Sequence, residues 1–169
     1  LDGLVLMKDE ARLATWANEY AVMFKDSSQE YTQIVQKSIL TKSTQTADQN
    51  ADLAYKELLG FNVSQAEPQD RLKYYKNKLI LAEKLQKFPE ALSAADDMLA
   101  QQALSSEDRE FAWSRKAYLS ELLLDFGTAL AATEKIEKGI SAEDKTLKLA
   151  IFAELSGSQS ESYYQRYLQ

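Results

Sequence analysis

Apolar residues recur along most of this chain at intervals of three, four and seven, the spacing that gathers side chains on one side of an α-helix. Between residues 4 and 24, Leu6, Leu13, Trp16, Ala17, Tyr20 and Phe24 form one such stripe against a charged opposite face. A second stripe begins at Tyr31, Ile34, Val35, Ile39 and Leu40 and fades into a Ser/Thr/Gln stretch over 43–50, which reads as a long or mobile turn. Residues 51–59 resume the helical pattern, with Gly60 placed to cap it. The alternation expected of half-buried strands is nearly absent.

Four tetrapeptides punctuate these stripes: Ser27-x-x-Glu30, Ser64-x-x-Glu67, Ser105-x-x-Asp108 and Ser141-x-x-Asp144. In each, a hydroxyl can accept an exposed backbone N–H at a helix start, and the acid three residues on suits the positive end of the helix dipole. Their intervals of 37, 41 and 36 residues point to a repeat. It is clearest between 72–99 and 110–137, at an offset of 38. There Tyr75 pairs with Trp113, Lys78 with Lys116, Leu81 with Leu119, Glu83 with Glu121, Phe88 with Phe126, Ala91-Leu92 with Ala129-Leu130, and Met98 with Ile136. Each copy reads as a long helix, a tight turn and a shorter helix. Pro89 suits the first turn of the second helix, and Gly127 supplies permissive backbone at the equivalent corner. At a further offset of 33, Ala117, Leu119, Glu121 and Leu122 correspond to Ala150, Phe152, Glu154 and Leu155, and the chain turns again at Ser156-Gly157-Ser158. The predicted organisation is an N-terminal packing helix over 1–25 and a repeat domain over 26–169, in approximate repeats 27–62, 64–103, 105–139 and 141–169.

Composition narrows the function. Only five glycines and two prolines interrupt 169 residues, which favours long helices, and there is no histidine or cysteine. No imidazole base, thiolate, disulfide or common zinc or haem ligand set is therefore available. A net charge of −6 gives no general attraction to nucleic acid or anionic membranes. The run Leu4-Val5-Leu6-Met7 is too short for a membrane span and meets charge at once in Lys8 and Asp9. The opening Leu1 suggests a processed chain or an excised fragment, and the lack of cysteine suits a bacterial envelope protein as well as a cytoplasmic one. No glycine-rich phosphate cradle, nucleophile elbow or Ser-x-x-Lys pair occurs, and Asp96-Asp97 and Glu107-Asp108 read as helix-surface and helix-start acids. The expectation is a non-catalytic chain without cofactor or metal. Asn62-Val63-Ser64 is a glycosylation sequon with meaning only in a eukaryotic secretory context.

Phe88-Pro89-Glu90-Ala91-Leu92 and Phe126-Gly127-Thr128-Ala129-Leu130 resemble the junction between helices A and B of tetratricopeptide (TPR) repeats. Tyr75 and Trp113 fall at that family's early aromatic position in helix A, and Tyr164-Gln165-Arg166-Tyr167-Leu168 is similar to a common end of helix B. The resemblance is good over 64–139, fair over 141–169 and weak over 27–62. It departs at the helix A glycine, which is Leu79 and then Ala117 here, so helix contacts must open to admit the larger side chains.

The resemblance implies an all-α fold of antiparallel helix pairs stacked as a right-handed solenoid, with a concave groove lined mainly by helix A. Carried over position by position, the groove residues are Lys73, Lys76, Asn77, Ile80 and Glu83, then Phe111, Ser114, Arg115, Tyr118 and Glu121, and then Leu147, Lys148, Ile151 and Glu154. The implied function is a protein–protein interaction module that binds a protein or peptide in this groove. Lys73, Lys76 and Arg115 make a locally basic stripe suited to an acidic segment. Lys73 and Asn77 open a carboxylate-clamp pattern that Arg115 and Asp144 then break. The alternative reading is a helical auxiliary domain of a larger enzyme such as a cell-wall hydrolase. Trp16, Tyr75, Phe88, Trp113 and Phe126 are expected in the core. Among Tyr163, Tyr164 and Tyr167, at least one must meet solvent, a further repeat or a partner.

Overall fold

The computed structural model describes residues 29–102, 104–158 and 161–167, and every regular element among them is helical. The helical stripe over 4–24, Trp16 and the helix start at Ser27 lie outside the described residues. The helices are α1 (Gln29–Thr46), α2 (Ala51–Leu58), α3 (Pro68–Lys84), α4 (Phe88–Leu99), α5 (Ser106–Leu122), α6 (Phe126–Glu134), α7 (Ala142–Leu155) and α8 (Glu161–Tyr167), with a 3₁₀ turn at Val63–Gln65. The chain divides after Leu85 into two compact units.

In the first unit α1 packs on α2 and α3, and α2 packs on α3. Helix α1 runs through the Ser/Thr/Gln stretch as far as Thr46, so the expected long turn shrinks to residues 47–50. Ser43 and Thr44 both donate to the Leu40 carbonyl, so their hydroxyls are satisfied inside the helix and do not divert the backbone into a turn. Asn50 then starts α2, its side chain accepting the Leu53 N–H at 3.0 Å. Gly60 is not the left-handed cap that its position suggested; Leu59 closes α2 in ordinary helical geometry. The tetrapeptide at Ser64 also misplaces a helix start. Asn62 organises the short 3₁₀ turn by accepting the Ser64 N–H, and α3 begins only at Pro68, whose ring presets the first helical residue. Tyr74 is the buried ring of α3, stacked on Phe61 with centroids 4.8 Å apart, and Tyr75 is half-buried.

In the second unit each of α4 to α8 packs on the next. Ser105 and Ser141 begin α5 and α7 as the spacing predicts, and alike: each hydroxyl accepts the N–H three residues on at 3.0 Å and donates to that residue's carboxylate at 2.7 Å. The interior is alanine-rich, with Ala91, Ala94, Ala95, Ala112, Ala129, Ala132, Ala150 and Ala153 all fully buried, so the helices approach closely. Trp113 and Ile140 close over Ala117, Ala132 and Ile136, while Phe126 and Phe152 stack at 6.3 Å. Lys116 crosses from α5 to Asp96 on α4 at 2.5 Å, its ammonium over the Trp113 ring at 5.6 Å.

The sequence offsets reappear in burial. Leu79, Ala117 and Ala150 are buried at one equivalent position, Leu81, Leu119 and Phe152 at a second, and Ala82, Ser120 and Ala153 at a third. They reappear in the backbone as well. Gln86, Leu124 and Gly157 occupy the left-handed region at φ of 58°, 59° and 71°, each two residues past its helix. After α5 and α7 the following residue donates back across this corner, Asp125 N–H to Ser120 and Ser158 N–H to Ala153, closing a Schellman turn. The special residue of the α5–α6 corner is therefore Leu124. Gly127 lies inside α6, at its second residue.

Candidate functional site

Helix geometry sorts each long helix into a packed face and an outward face, because positions three and four apart share a side. On α3 the outward face holds Lys73, Lys76, Asn77, Ile80 and Glu83. Lys73 and Ile80 are exposed and the other three half-buried. Asn77 donates its amide to Thr44 Oγ1 at 3.1 Å, and Lys84, one turn beyond Ile80, donates to the Ala47 carbonyl at 3.0 Å. Asp70 lies one turn before Lys73, and burial pushes its carboxyl above the ordinary value of 3.8 against the pull of Lys37.

On α5 the outward face holds Phe111, Ser114, Arg115, Tyr118 and Glu121. The Arg115 guanidinium lies over the Phe111 ring at 5.5 Å, and Tyr118 is exposed. On α7 it holds Leu147, Lys148, Ile151 and Glu154, all exposed. Lys148 reaches Glu121 at 3.1 Å, which sets the outward faces of α5 and α7 side by side. Of the groove positions expected from sequence, Lys73, Ile80, Tyr118, Leu147, Lys148, Ile151 and Glu154 are exposed, and Lys76, Asn77, Glu83, Phe111, Ser114, Arg115 and Glu121 are half-buried; they lie on α3 in the first unit and on α5 and α7 in the second. The anticipated basic stripe is divided accordingly: Lys73 and Lys76 belong to the first unit, Arg115 to the second. Two further residues extend the apolar row, Leu122 and Leu155, which follow Tyr118 and Ile151 by four positions and are exposed. That i, i+4 relation was available in the sequence.

Beyond Phe111 the α5 face opens into a cavity of about 680 Å³ between the first turns of α5 and the loop after α6. Ser106, Glu107, Glu110, Phe111, Ser114 and Arg115 line one side, and Glu137, Lys138 and Gly139 the other. The Glu110 carboxylate fixes the loop by accepting the backbone N–H groups of Glu137, at 2.9 and 3.1 Å, and of Lys138, at 2.6 Å. Gly139 turns the chain there in the left-handed region at φ 76°. Lys145 secures the other side by donating to the Glu134 and Ile136 carbonyls at the end of α6. Nothing local in the sequence marks the Glu110 contact, which joins residues 27 and 28 positions apart. Near the chain end, Tyr163 is half-buried and its hydroxyl donates to Glu134.

Among the described residues no group of three or more Asp or Glu side chains is placed to hold a metal ion, and no helix is long and apolar enough to cross a membrane. Comparison with family models, curated proteins and solved structures gives no match. The functional reading therefore rests on the two outward faces and the cavity beside one of them.

Proposed function

We propose that this chain is a non-catalytic protein-interaction module, a TPR-like array of antiparallel helix pairs stacked as a right-handed solenoid, which takes a protein or peptide segment on its helix A side. One observation carries the reading. Ile80, Tyr118 and Ile151 stand at repeat-equivalent positions on α3, α5 and α7 and are 46%, 44% and 41% exposed. A single exposed apolar residue needs no explanation, but a large one kept at the same register of three helices, and joined on two of them by Leu122 and Leu155, supports reading the outward face of each unit as adapted to contact. The charged neighbours of this row on α5 and α7 keep it soluble while it is uncovered.

The test is the triple variant Ile80→Glu, Tyr118→Glu and Ile151→Glu, used as bait against native lysate beside the parent chain. All three side chains face solvent, so the helical CD spectrum should be preserved. Proteins retained by the parent should be lost from the variant. An identical set retained by both would remove these faces as the binding surface.

A further inference from the structure

The second unit carries features that select among partners. Residues 86–169 contain 14 acidic and 9 basic side chains, so five of the chain's six net negative charges lie there. The imbalance is sharper on the face just described. Around the apolar row of Tyr118, Leu122, Leu147, Ile151 and Leu155 stand Glu107, Glu110, Glu121, Asp125, Glu137, Asp144 and Glu154, against Arg115, Lys138 and Lys148. Lys148 is matched by Glu121, and the Arg115 guanidinium sits over the Phe111 ring at 5.5 Å. The cavity continues the row toward the start of α5, because residues 107, 111, 114 and 118 share one side of that helix. It combines an aromatic wall, Phe111, with the exposed carboxylates Glu107 and Glu137 at its rim. An apolar wall with carboxylates at the rim suits a long side chain that is aliphatic along its stem and cationic at its tip.

Resting on the protein-binding reading above, we infer that the α5–α7 face takes an amphipathic segment whose apolar side chains cover Tyr118, Leu122, Ile151 and Leu155 and whose flanking lysine or arginine enters the cavity beside Phe111 with its tip between Glu107 and Glu137, clear of the Arg115 guanidinium on that ring. Charge complementarity fixes the choice of occupant. An acidic segment would bring carboxylates against a face on which acids outnumber cations seven to three, and three to two around the cavity, whereas a basic one is attracted at long range and paired on arrival. This is the opposite preference to the one that Lys73 and Lys76 suggested, and it belongs to the second unit alone. The cavity is large enough to admit a lysine or arginine side chain without rearrangement of the loop that Glu110 holds.

Two labelled peptides of about 18 residues, five helical turns, test the inference by fluorescence anisotropy on the full chain. Both carry leucine at i, i+3, i+4 and i+7; one has lysine and arginine on its flanks, the other glutamate. The basic peptide should bind at least about tenfold more tightly, with the gap narrowing as NaCl rises from about 0.05 to 0.5 M. Glu107→Gln with Glu137→Gln, both exposed and outside the core, should shrink the preference with the CD spectrum unchanged. Equal or tighter binding of the acidic peptide, lost in Tyr118→Glu/Ile151→Glu, would overturn the charge preference while leaving the face as a binding surface. Binding of the basic peptide that survives that double variant, or binding of neither peptide, would overturn the inference and its footing together. A concentration-dependent dimer of the parent chain in sedimentation velocity, absent from Ile151→Glu, would assign the face to a second copy and also overturn it.

Discussion

Ser120 stands where Ala82 and Ala153 stand in the equivalent helices, and its fully buried hydroxyl has no hydrogen-bond partner. Leaving a desolvated hydroxyl unpaired costs ~1–3 kcal/mol, so Ser120→Ala should raise the urea midpoint by the equivalent of about 1 kcal/mol, the opposite of the usual effect of core truncation. Leu124 is a second locally costly choice, since a left-handed residue with a Cβ carries ~1–2 kcal/mol that glycine avoids. Leu124→Gly should stabilise the chain and Gly157→Ala destabilise it, each by roughly 0.5–1 kcal/mol in denaturant titrations. Two carboxyls give the acid limb of stability opposite signs. Thr128, through its side chain and its backbone N–H, holds Asp125 below the ordinary 3.8. The stabilisation from Asp125 is complete above that value and disappears as pH falls through its folded-state pKa. Asp70 is raised by burial, so its ionisation disfavours the folded state increasingly as pH climbs past 3.8. Asp70→Asn should therefore stabilise the chain near neutral pH, with the advantage vanishing below 3.8 in urea melts run across pH.

Between elements, the same backbone corner is used with unequal success. Lys87 and Asp125 precede α4 and α6 with nearly identical dihedral angles, −86°/65° and −87°/76°, yet only Asp125 caps its helix with a side chain. Lys87→Asp should supply the missing cap and add about 1 kcal/mol, read from the shift in thermal midpoint. The loop after α6 is tied to α5 by the packing of Ile140 on the Ala117 cluster and, through hydrogen bonds, by the Glu110 carboxylate on the Glu137 and Lys138 amides. Glu110→Ala should leave the helices intact and speed hydrogen exchange at those two amides by about tenfold or more, since the loop then opens without unfolding its neighbours. Unchanged exchange would show that Gly139 and Lys145 hold the loop without it.

At the scale of the molecule, the second unit has its own interior, and residues 86–169 produced alone should give a helical spectrum and a cooperative urea transition. A gradual, non-cooperative response would show that this interior needs the first 85 residues. The buried and outward faces of the long helices were legible in advance because the offsets of 38 and 33 carry identity and environment together, as Leu81, Leu119 and Phe152 show. Ser105 and Ser141 were legible for the same reason: a cap is a local contact with a fixed residue preference. What escaped the sequence was set by backbone or by distance. Leu124 gives no sign of its left-handed conformation, since glycine is the usual mark of one. Ser64 imitated a helix start that Pro68 postponed, and one wall of the cavity is a loop that Glu110 meets far along the chain. The corner shared by Gln86, Leu124 and Gly157 also bears on how such a gene changes length. Recombination between successive members of this set, codons 86 and 124 or 124 and 157, would join segments whose local conformations already agree, so two helices could be gained or lost at once without a misfitting turn. A crossover out of register would put a residue with the wrong handedness at the seam, so viable length variants are expected in steps of 33 or 38 residues.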